Sequence, residues 1–306
     1  MRTLEFRTYD VFTDRRFGGN PLGIFPDADG LEDAEMQAIA RELNLSETVF
    51  LSSPRKGGHT AVRIFTPGFE VPFAGHPTVG TGCYLADAGR VDFDGDHASI
   101  VLEERIGPVP VTIRRSDEEP TFARLTAAQV PMVRNADLSR ENAARIVRLE
   151  PDALAETLEG SPCEATYASA GLPYLVIPVR DTEALARATL DDAVRAEVVP
   201  PNAPGRFIYL VAPSTSDDVD YRVRMFAPEA GVPEDPATGS AAAAFGGYLG
   251  TRLPDGLHHR TLEQGIEMGR PSRIELEVDV RAGAADRTTV GGHAVPVTRG
   301  TLELDS

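Results

Sequence analysis

The chain carries one pattern twice, as AVRIFTPGFEVPFAGHPTVGTG at residues 61–82 and as YRVRMFAPEAGVPEDPATGSAAAA at residues 221–244. Each copy begins with an apolar strand, V-R-[IM]-F-[TA]-P, and passes through a Val-Pro loop to a polar residue and a proline, His76-Pro77 or Asp235-Pro236. A glycine, a hydroxyl residue and small residues follow, as a buried helix would need. A repeat separated by about half of the chain predicts two similar domains.

The proline of each copy predicts the start of a helix, because proline fixes φ and lacks the N–H that would be unpaired at the first helical position. We therefore expect helices over 77–88 and 236–249, with His76 and Asp235 as their N-caps. The first turn of each helix offers free backbone N–H groups and the positive end of the helix dipole. Two such ends facing each other across a cleft would hold a small carboxylate, and the alternative is two ordinary capped helices.

The composition is that of a soluble globular protein, with 306 residues, 42% of them hydrophobic and 25% charged. The net charge of −17 argues against binding to nucleic acid or to anionic membranes. The apolar runs are too short to span a membrane, and the N-terminus alternates like a strand rather than resembling a signal peptide, so a cytoplasmic location is expected.

Neither a metal nor a cofactor is expected from the motifs. Two cysteines, Cys83 and Cys163, are too few for a disulfide framework, and the six histidines lack metal-ligand spacing. The GHPTVGTG stretch lacks the lysine of a phosphate-binding loop, and no dinucleotide fingerprint lies between a strand and a helix.

The stretch LSETVFL at residues 45–51 favours a strand on which Leu45, Glu47, Val49 and Leu51 share one face. A carboxylate in line with three apolar side chains is costly unless it is paired or functional. Two alternatives need no function: a capping box with Asn44, or an edge position from which Glu47 reaches solvent.

The rest of the sequence predicts a succession of strands and helices. Strands predominate before about residue 133, and helices follow it. We expect helices at 33–43, 138–149 and 183–198, and another that begins at Pro151–Leu158. The predicted domains are residues 1–133 and residues 134–293, and the C-terminal strand at about 294–306 would join the first domain.

Glu47, His76 and Asp235 together with two helix starts form a set suited to proton transfer. A glutamate in apolar surroundings has a pKa pushed up toward neutrality, which suits a group that takes and returns a proton. His76 could orient or donate, and Asp235 could hold polar groups of a substrate.

Four motifs in order resemble the PhzF family, named for the phenazine-biosynthesis isomerase: GGNPLGIFPDADGLEDAEMQAIARELNLSETVFL, RIFTPGFEVPFAGHPTVGTG, RMFAPEAGVPEDPATGSAAAA and QGIEMGRPS. The resemblance covers nearly the whole chain. It implies a fold similar to diaminopimelate epimerase, an α/β (α+β) architecture of two pseudo-symmetric domains. Each domain would be a bent, largely antiparallel sheet around a central helix.

The resemblance also implies roles. Glu47 matches the acid/base glutamate, His76 the active-site histidine, and Asp235 and Ser240 the residues that orient the substrate, with the backbone at Gly75 and Gly239 completing the pocket. The implied activity is a cofactor-independent isomerisation of a small carboxylic acid, similar to that of trans-2,3-dihydro-3-hydroxyanthranilate isomerase, by a homodimer. Two alternatives stay open: an epimerase or racemase of an amino or hydroxy acid, and a non-catalytic protein that binds small acids.

Overall fold

The computed structural model describes residues 2–201 and 203–304. The elements of the N-terminal part follow one another as β1 (Arg2–Val11), β2 (Asn20–Phe25), α1 (Asp33–Leu43), β3 (Glu47–Ser52), β4 (Thr60–Phe65), β5 (Glu70–Val71), α2 (Gly75–Asp87), β6 (His97–Glu104), β7 (Gly107–Arg114) and β8 (Phe122–Thr126).

The C-terminal part continues with β9 (Met132–Asn135), α3 (Arg140–Ile146), β10 (Thr157–Leu158), β11 (Ser161–Pro162), β12 (Thr166–Ser169), β13 (Pro173–Pro178), α4 (Thr182–Arg187), α5 (Asp192–Val198), β14 (Phe207–Pro213), β15 (Tyr221–Ala227), β16 (Val232–Asp235), α6 (Gly239–Gly250), β17 (Gly256–Gln264), β18 (Ser272–Arg281) and β19 (Ala284–Leu304).

Eight strands of the N-terminal part close into a ring around α2. Their order is β1, β2, β3, β4, β6, β7, β8 and β19, and β19 returns to pair with β1. Along this order from β1 to β8 the neighbouring pairs are antiparallel, parallel, antiparallel, parallel, antiparallel and antiparallel. The first eleven residues of α2 are buried, as expected of a helix enclosed by a sheet.

The C-terminal part repeats this order of pairing around α6. From β12 through β13, β14, β15, β17 and β18 to β19, the pairs are again antiparallel, parallel, antiparallel, parallel, antiparallel and antiparallel. All twelve residues of α6 are buried. The predicted fold class, a mixed α/β protein of two similar halves with a helix at each centre, is confirmed.

The strand β19 belongs to both halves. Its first part pairs with β18, and residues 294–304 pair with β1. This pairing supports placing the last strand with the N-terminal half, and the boundaries at residues 133 and 293 stay a prediction.

Several predicted elements match the structure closely. Helix α1 has the predicted bounds, and Asn44 ends it in the left-handed conformation with φ of 50°.

The helix predicted at 183–198 is two short helices, α4 and α5. The helix expected from Pro151 is wrong: only a 3₁₀ turn forms at Pro151–Ala153, because Ala155 donates its N–H to Pro178 and Leu154 bridges to Val179.

The predicted helix caps are also wrong. Helix α2 begins at Gly75 with Ala74 as N-cap, so His76 lies within its first turn. Helix α6 begins at Gly239, four residues after Asp235. A proline is tolerated anywhere in the first turn, because none of its N–H groups has a partner within the helix, so Pro77 does not mark the first residue.

Asp235 is kept out of the helix by Gln264. The Gln264 side chain donates to the backbone carbonyl of Asp235 at 2.7 Å and accepts from the N–H of Thr238 at 3.1 Å. The segment between these two residues is thereby held outside α6. The positions that correspond in the two halves are then Gly75-His76 and Gly239-Ser240, at the two helix starts, rather than His76 and Asp235.

No helix within residues 2–201 and 203–304 is long and apolar enough to cross a membrane.

Candidate active site

The starts of α2 and α6 touch each other at two glycines. A Cβ atom placed on Gly75 would lie 2.6 Å from the backbone of Gly239 and Ser240, a distance that side chains do not tolerate. Glycine at this position therefore allows the two helix ends to meet. The prediction that the two helix starts face each other is confirmed by this contact.

A cavity of about 140 Å³ lies where the helix starts meet. All six predicted site residues line it: Glu47, Gly75, His76, Asp235, Gly239 and Ser240. The rest of its wall is mainly apolar and includes Phe69, Phe73, Leu172, Phe207 and Met225. An apolar wall with a few convergent polar groups is the usual form of a small-molecule site.

Glu47 is the first residue of β3, and the residues on its face, Val49 and Leu51, are fully buried. Its side chain is 18% exposed and opens toward the cavity. Burial holds the pKa of the Glu47 carboxyl well above its ordinary value, and the nearby charge of Asp235 raises it further. Glu47 is thus a carboxyl group that keeps its proton to a higher pH than an exposed glutamate does.

His76 lies beside Glu47, with 3.3 Å between its Nδ1 and Oε2 of the carboxyl. Burial lowers the pKa of His76 to about 3, against the opposing effect of the Pro21 carbonyl. The imidazole is therefore neutral at physiological pH. Oε2 of Glu47 and Nε2 of His76 are buried without a hydrogen-bond partner among the described residues, as expected for polar atoms that meet a bound ligand.

Asp235 is held more firmly than Glu47. Its Oδ1 accepts from the Asn20 amide at 2.8 Å, and its Oδ2 accepts from the Thr238 hydroxyl at 2.6 Å. Burial raises the pKa of Asp235 to about 6, while the hydrogen bonds from Thr238, Asn20 and Ser46 act in the opposite direction. The two carboxyl groups of the cavity therefore differ, since one is anchored and the other has a free oxygen.

Three residues that hold this arrangement were not among the predicted site residues. Asn20 and Gln264 lie in two of the recognised motifs, GGNPLG and QGIEMG, without an assigned role. Asn20 also donates to the carbonyl of Ala237 at 2.8 Å, so it links β2 to the other half of the molecule. Tyr174, on β13, places its hydroxyl 2.6 Å from the Ser240 hydroxyl.

The two halves of the site differ at the position of Glu47. In the repeated strands, Thr48 lies opposite Phe65 and Ile208 lies opposite Phe226. Since Phe65 and Phe226 are the same residue of the repeat, Phe207 holds in the second half the position that Glu47 holds in the first. The Glu47–His76 pair of the first half thus corresponds to the Phe207 ring and the Ser240–Tyr174 hydroxyl pair of the second half.

The residues that the structure describes contain no group of three or more His, Cys, Asp and Glu side chains placed to hold a metal ion.

Comparison with known proteins identifies relatives along almost the entire chain. The family model described as phenazine biosynthesis-like protein, PhzC-PhzF, matches residues 9–300. An uncharacterized isomerase of Mesorhizobium japonicum is 41% identical over 99% of both chains. The trans-2,3-dihydro-3-hydroxyanthranilate isomerase of Pseudomonas fluorescens is 33% identical over 96% of this chain and 98% of its own. A PhzF-family crystal structure from Bacillus anthracis superposes with a TM-score of 0.87 at 30% identity, covering 99% of this chain and 100% of the other.

Proposed function

We propose that this chain, which belongs to the phenazine biosynthesis-like PhzC-PhzF family and is an isomerase, moves a proton between two carbons of a small carboxylic acid. Glu47 is the acid/base group, and no cofactor takes part. The substrate resembles trans-2,3-dihydro-3-hydroxyanthranilate, the compound for which relatives of this chain are named.

The observation that carries this proposal is the pairing of Glu47 with a neutral His76 in a small, mostly apolar cavity. A carboxyl with a raised pKa holds a proton that it can donate, and after donation it becomes a strong enough base to take one back. In one turnover the group gives one proton to one carbon and removes one from another, while the electron pairs shift along the conjugated substrate. The numbers of protons and electrons are unchanged.

The other residues bind and orient the substrate. The backbone N–H groups at Gly75 and Gly239, at the positive ends of two helices, suit a substrate carboxylate. Asp235 and Ser240 suit its amino or hydroxyl groups. The neutral imidazole of His76 lies against the Glu47 carboxyl at the edge of the cavity.

The difference between the two halves favours isomerisation over inversion. Inversion of a carbon centre by two bases needs an acid/base group on each face of the substrate, and Phe207 holds the place that corresponds to Glu47. One observation keeps an epimerase as the second candidate: Asp235, with a pKa of about 6, is another titratable group in the same cavity.

The proposal is tested by incubating the protein in D₂O with trans-2,3-dihydro-3-hydroxyanthranilate and a panel of small unsaturated and chiral acids. We expect a positional isomer to form without an added cofactor, with deuterium on a carbon of the product. Circular dichroism follows the optical activity of each chiral acid in parallel. Loss of optical activity without a positional isomer would support the epimerase or racemase instead. Binding of an acid with neither change would indicate a non-catalytic binding protein.

Two further features belong to the proposal. The protein works as a homodimer, and it works in the cytoplasm.

A further inference from the structure

A second and larger cavity of about 540 Å³ lies outside the candidate active site. The loop that follows β3, the strand β4 and the turn between β6 and β7 form its wall. None of its lining residues lines the cavity of Glu47 and His76. Its volume is in the range of pockets that hold small molecules, roughly 300–1,000 Å³.

Four cationic side chains line this cavity: Arg55, Lys56, Arg63 and Arg105. Lys56 is the sole lysine of a chain with 47 acidic and 30 basic residues. Four cationic side chains around one cavity stand out in so acidic a protein. Whether their charges are already neutralised depends on the acidic residues of the same wall.

The acidic residues of the cavity wall are engaged elsewhere. Both oxygens of Glu103 accept backbone N–H groups of the loop, from Arg55 at 2.7 Å, Lys56 at 2.6 Å and Gly58 at 2.8 Å. Burial raises the pKa of Glu104 to about 8, so that this carboxyl is mostly neutral at pH 7. Asp33 binds Arg63.

The side chains of Arg55 and Lys56 are left without a direct ion pair among the described residues, while Lys56 lies near enough to Glu103 to add to the backbone hydrogen bonds that lower the pKa of that carboxyl. Neither side chain forms an ion pair with any residue in 2–201 or 203–304, whereas Arg63 and Arg105 both bind Glu70. Because Glu103 fixes the backbone of their loop, the two free cations are held at the cavity rather than on a detached loop. The Arg105 side chain is 63% exposed and can accept a second partner.

We infer that this cavity is a binding site for a small organic anion that carries a phosphate or carboxylate group. The anion would lie among Arg55, Lys56 and Arg105, since guanidinium and ammonium groups are the side chains that bind such groups most strongly. Val62, Val101 and Pro108 supply an apolar surface for the body of the ligand.

Calorimetric titration with inorganic phosphate at constant ionic strength tests the inference. The wild-type protein is expected to bind one phosphate per chain saturably. The Arg55→Ser/Lys56→Ser double variant is expected to bind at least about tenfold more weakly, a loss of about 1.4 kcal/mol. The matched control is Arg41→Ser/Arg299→Ser, which makes the same change in net charge at two exposed positions outside the cavity and is expected to bind like wild type.

The site is disproved if wild-type protein shows no saturable binding, or if the two double variants bind phosphate equally. Equal binding would place the phosphate elsewhere, such as at the helix starts of the candidate active site. Circular dichroism checks that each variant is folded. If the loop variant is not, Arg105→Gln replaces it, and its affinity for phosphate must fall several-fold while that of the control does not.

Discussion

At the scale of single residues, the two carboxyl groups of the candidate active-site cavity suit different tasks in the proposed mechanism because they have different partners. Asp235 has a donor on each oxygen and is fixed, whereas Glu47 keeps one buried oxygen without a donor. A group that moves a proton needs such a free oxygen, and a group that orients a substrate needs a fixed position.

Replacement of Asn20 tests the anchoring of Asp235. Asn20→Ala removes the donor to Oδ1, which both frees the carboxylate and raises the pKa of Asp235 above about 6, since that hydrogen bond lowers it. We expect KM to rise about tenfold, the equivalent of about 1.4 kcal/mol. Kinetics across pH 5–8 measure both effects. Asn135→Ala, at an exposed asparagine that binds Glu164, is the control and should leave KM unchanged.

Glu104 gives a prediction about stability. Its side chain is 7% exposed, and burial raises its pKa from 4.5 to about 8. The Thr78 hydroxyl lies 2.6 Å from Oε1 of Glu104 and 2.7 Å from the carbonyl of Ala74. One hydroxyl proton cannot be donated to two acceptors. Both contacts become hydrogen bonds if Glu104 is protonated and donates to the Thr78 oxygen, while the Thr78 hydroxyl donates to the carbonyl of Ala74.

Between pH 4.5 and about 8 the folded protein therefore holds a proton at Glu104 that the unfolded chain has lost. Stability due to this group must fall as pH rises through that window, by at most about 1.4 kcal/mol per pH unit, and become constant above it. Urea denaturation of wild type and Glu104→Gln at pH 5, 6, 7 and 8 measures the difference. A difference that is constant with pH would show that Glu104 is ionised in the folded protein.

At the scale of secondary structure elements, the contact of the α2 and α6 starts determines where the site residues lie. Gly75→Ala would place a methyl group against the backbone of Gly239. We expect a loss of about 1–3 kcal/mol in the free energy of unfolding, and loss of activity because the helix ends move apart.

Gly82→Ala on the same helix is the control, since its Cβ would meet the Val111 side chain at 3.0 Å rather than backbone. That change should alter stability by less than about 1 kcal/mol and keep activity. Equal losses in the two variants, measured by denaturation and initial rates, would contradict the special role of Gly75.

The repeat predicted the two helices that lie at the centres of the halves, because the pattern is local. Helix α1 and the strand position of Glu47 follow from periodicity in the same way. The first residues of the helices do not follow from periodicity. The hydrogen bonds that keep Asp235 outside α6 come from Gln264, which lies 26 residues after Thr238. The strand β17 was not predicted, because its alternation of apolar and polar residues is weak.

At the scale of the whole molecule, the site forms only when both halves are present. Asn20 reaches Asp235 over a sequence separation of 215 residues, and such a pair leaves no local pattern. No local pattern marks Tyr174 either, because the partner of its hydroxyl, Ser240, lies 66 residues away. Glu47, His76, Asp235 and Ser240 were predicted because each lies in a short motif, whereas their supporting residues require the assembled fold.

The proposed homodimer predicts a mass of twice 32.9 kDa in solution. Light scattering during size-exclusion chromatography, over a hundredfold range of concentration, measures it. A mass near 32.9 kDa throughout that range would contradict the dimer.

The turnover of Glu47→Gln on the acid that the D₂O screen identifies shows whether one carboxyl group moves the proton. We expect a fall in kcat of about 10²–10⁴, with the fold and the affinity for the acid retained. Glu104→Gln, at another buried glutamate with a raised pKa outside the active-site cavity, should stay within about threefold of wild type. Turnover by Glu47→Gln equal to that of Glu104→Gln would show that the Glu47 carboxyl does not move the proton.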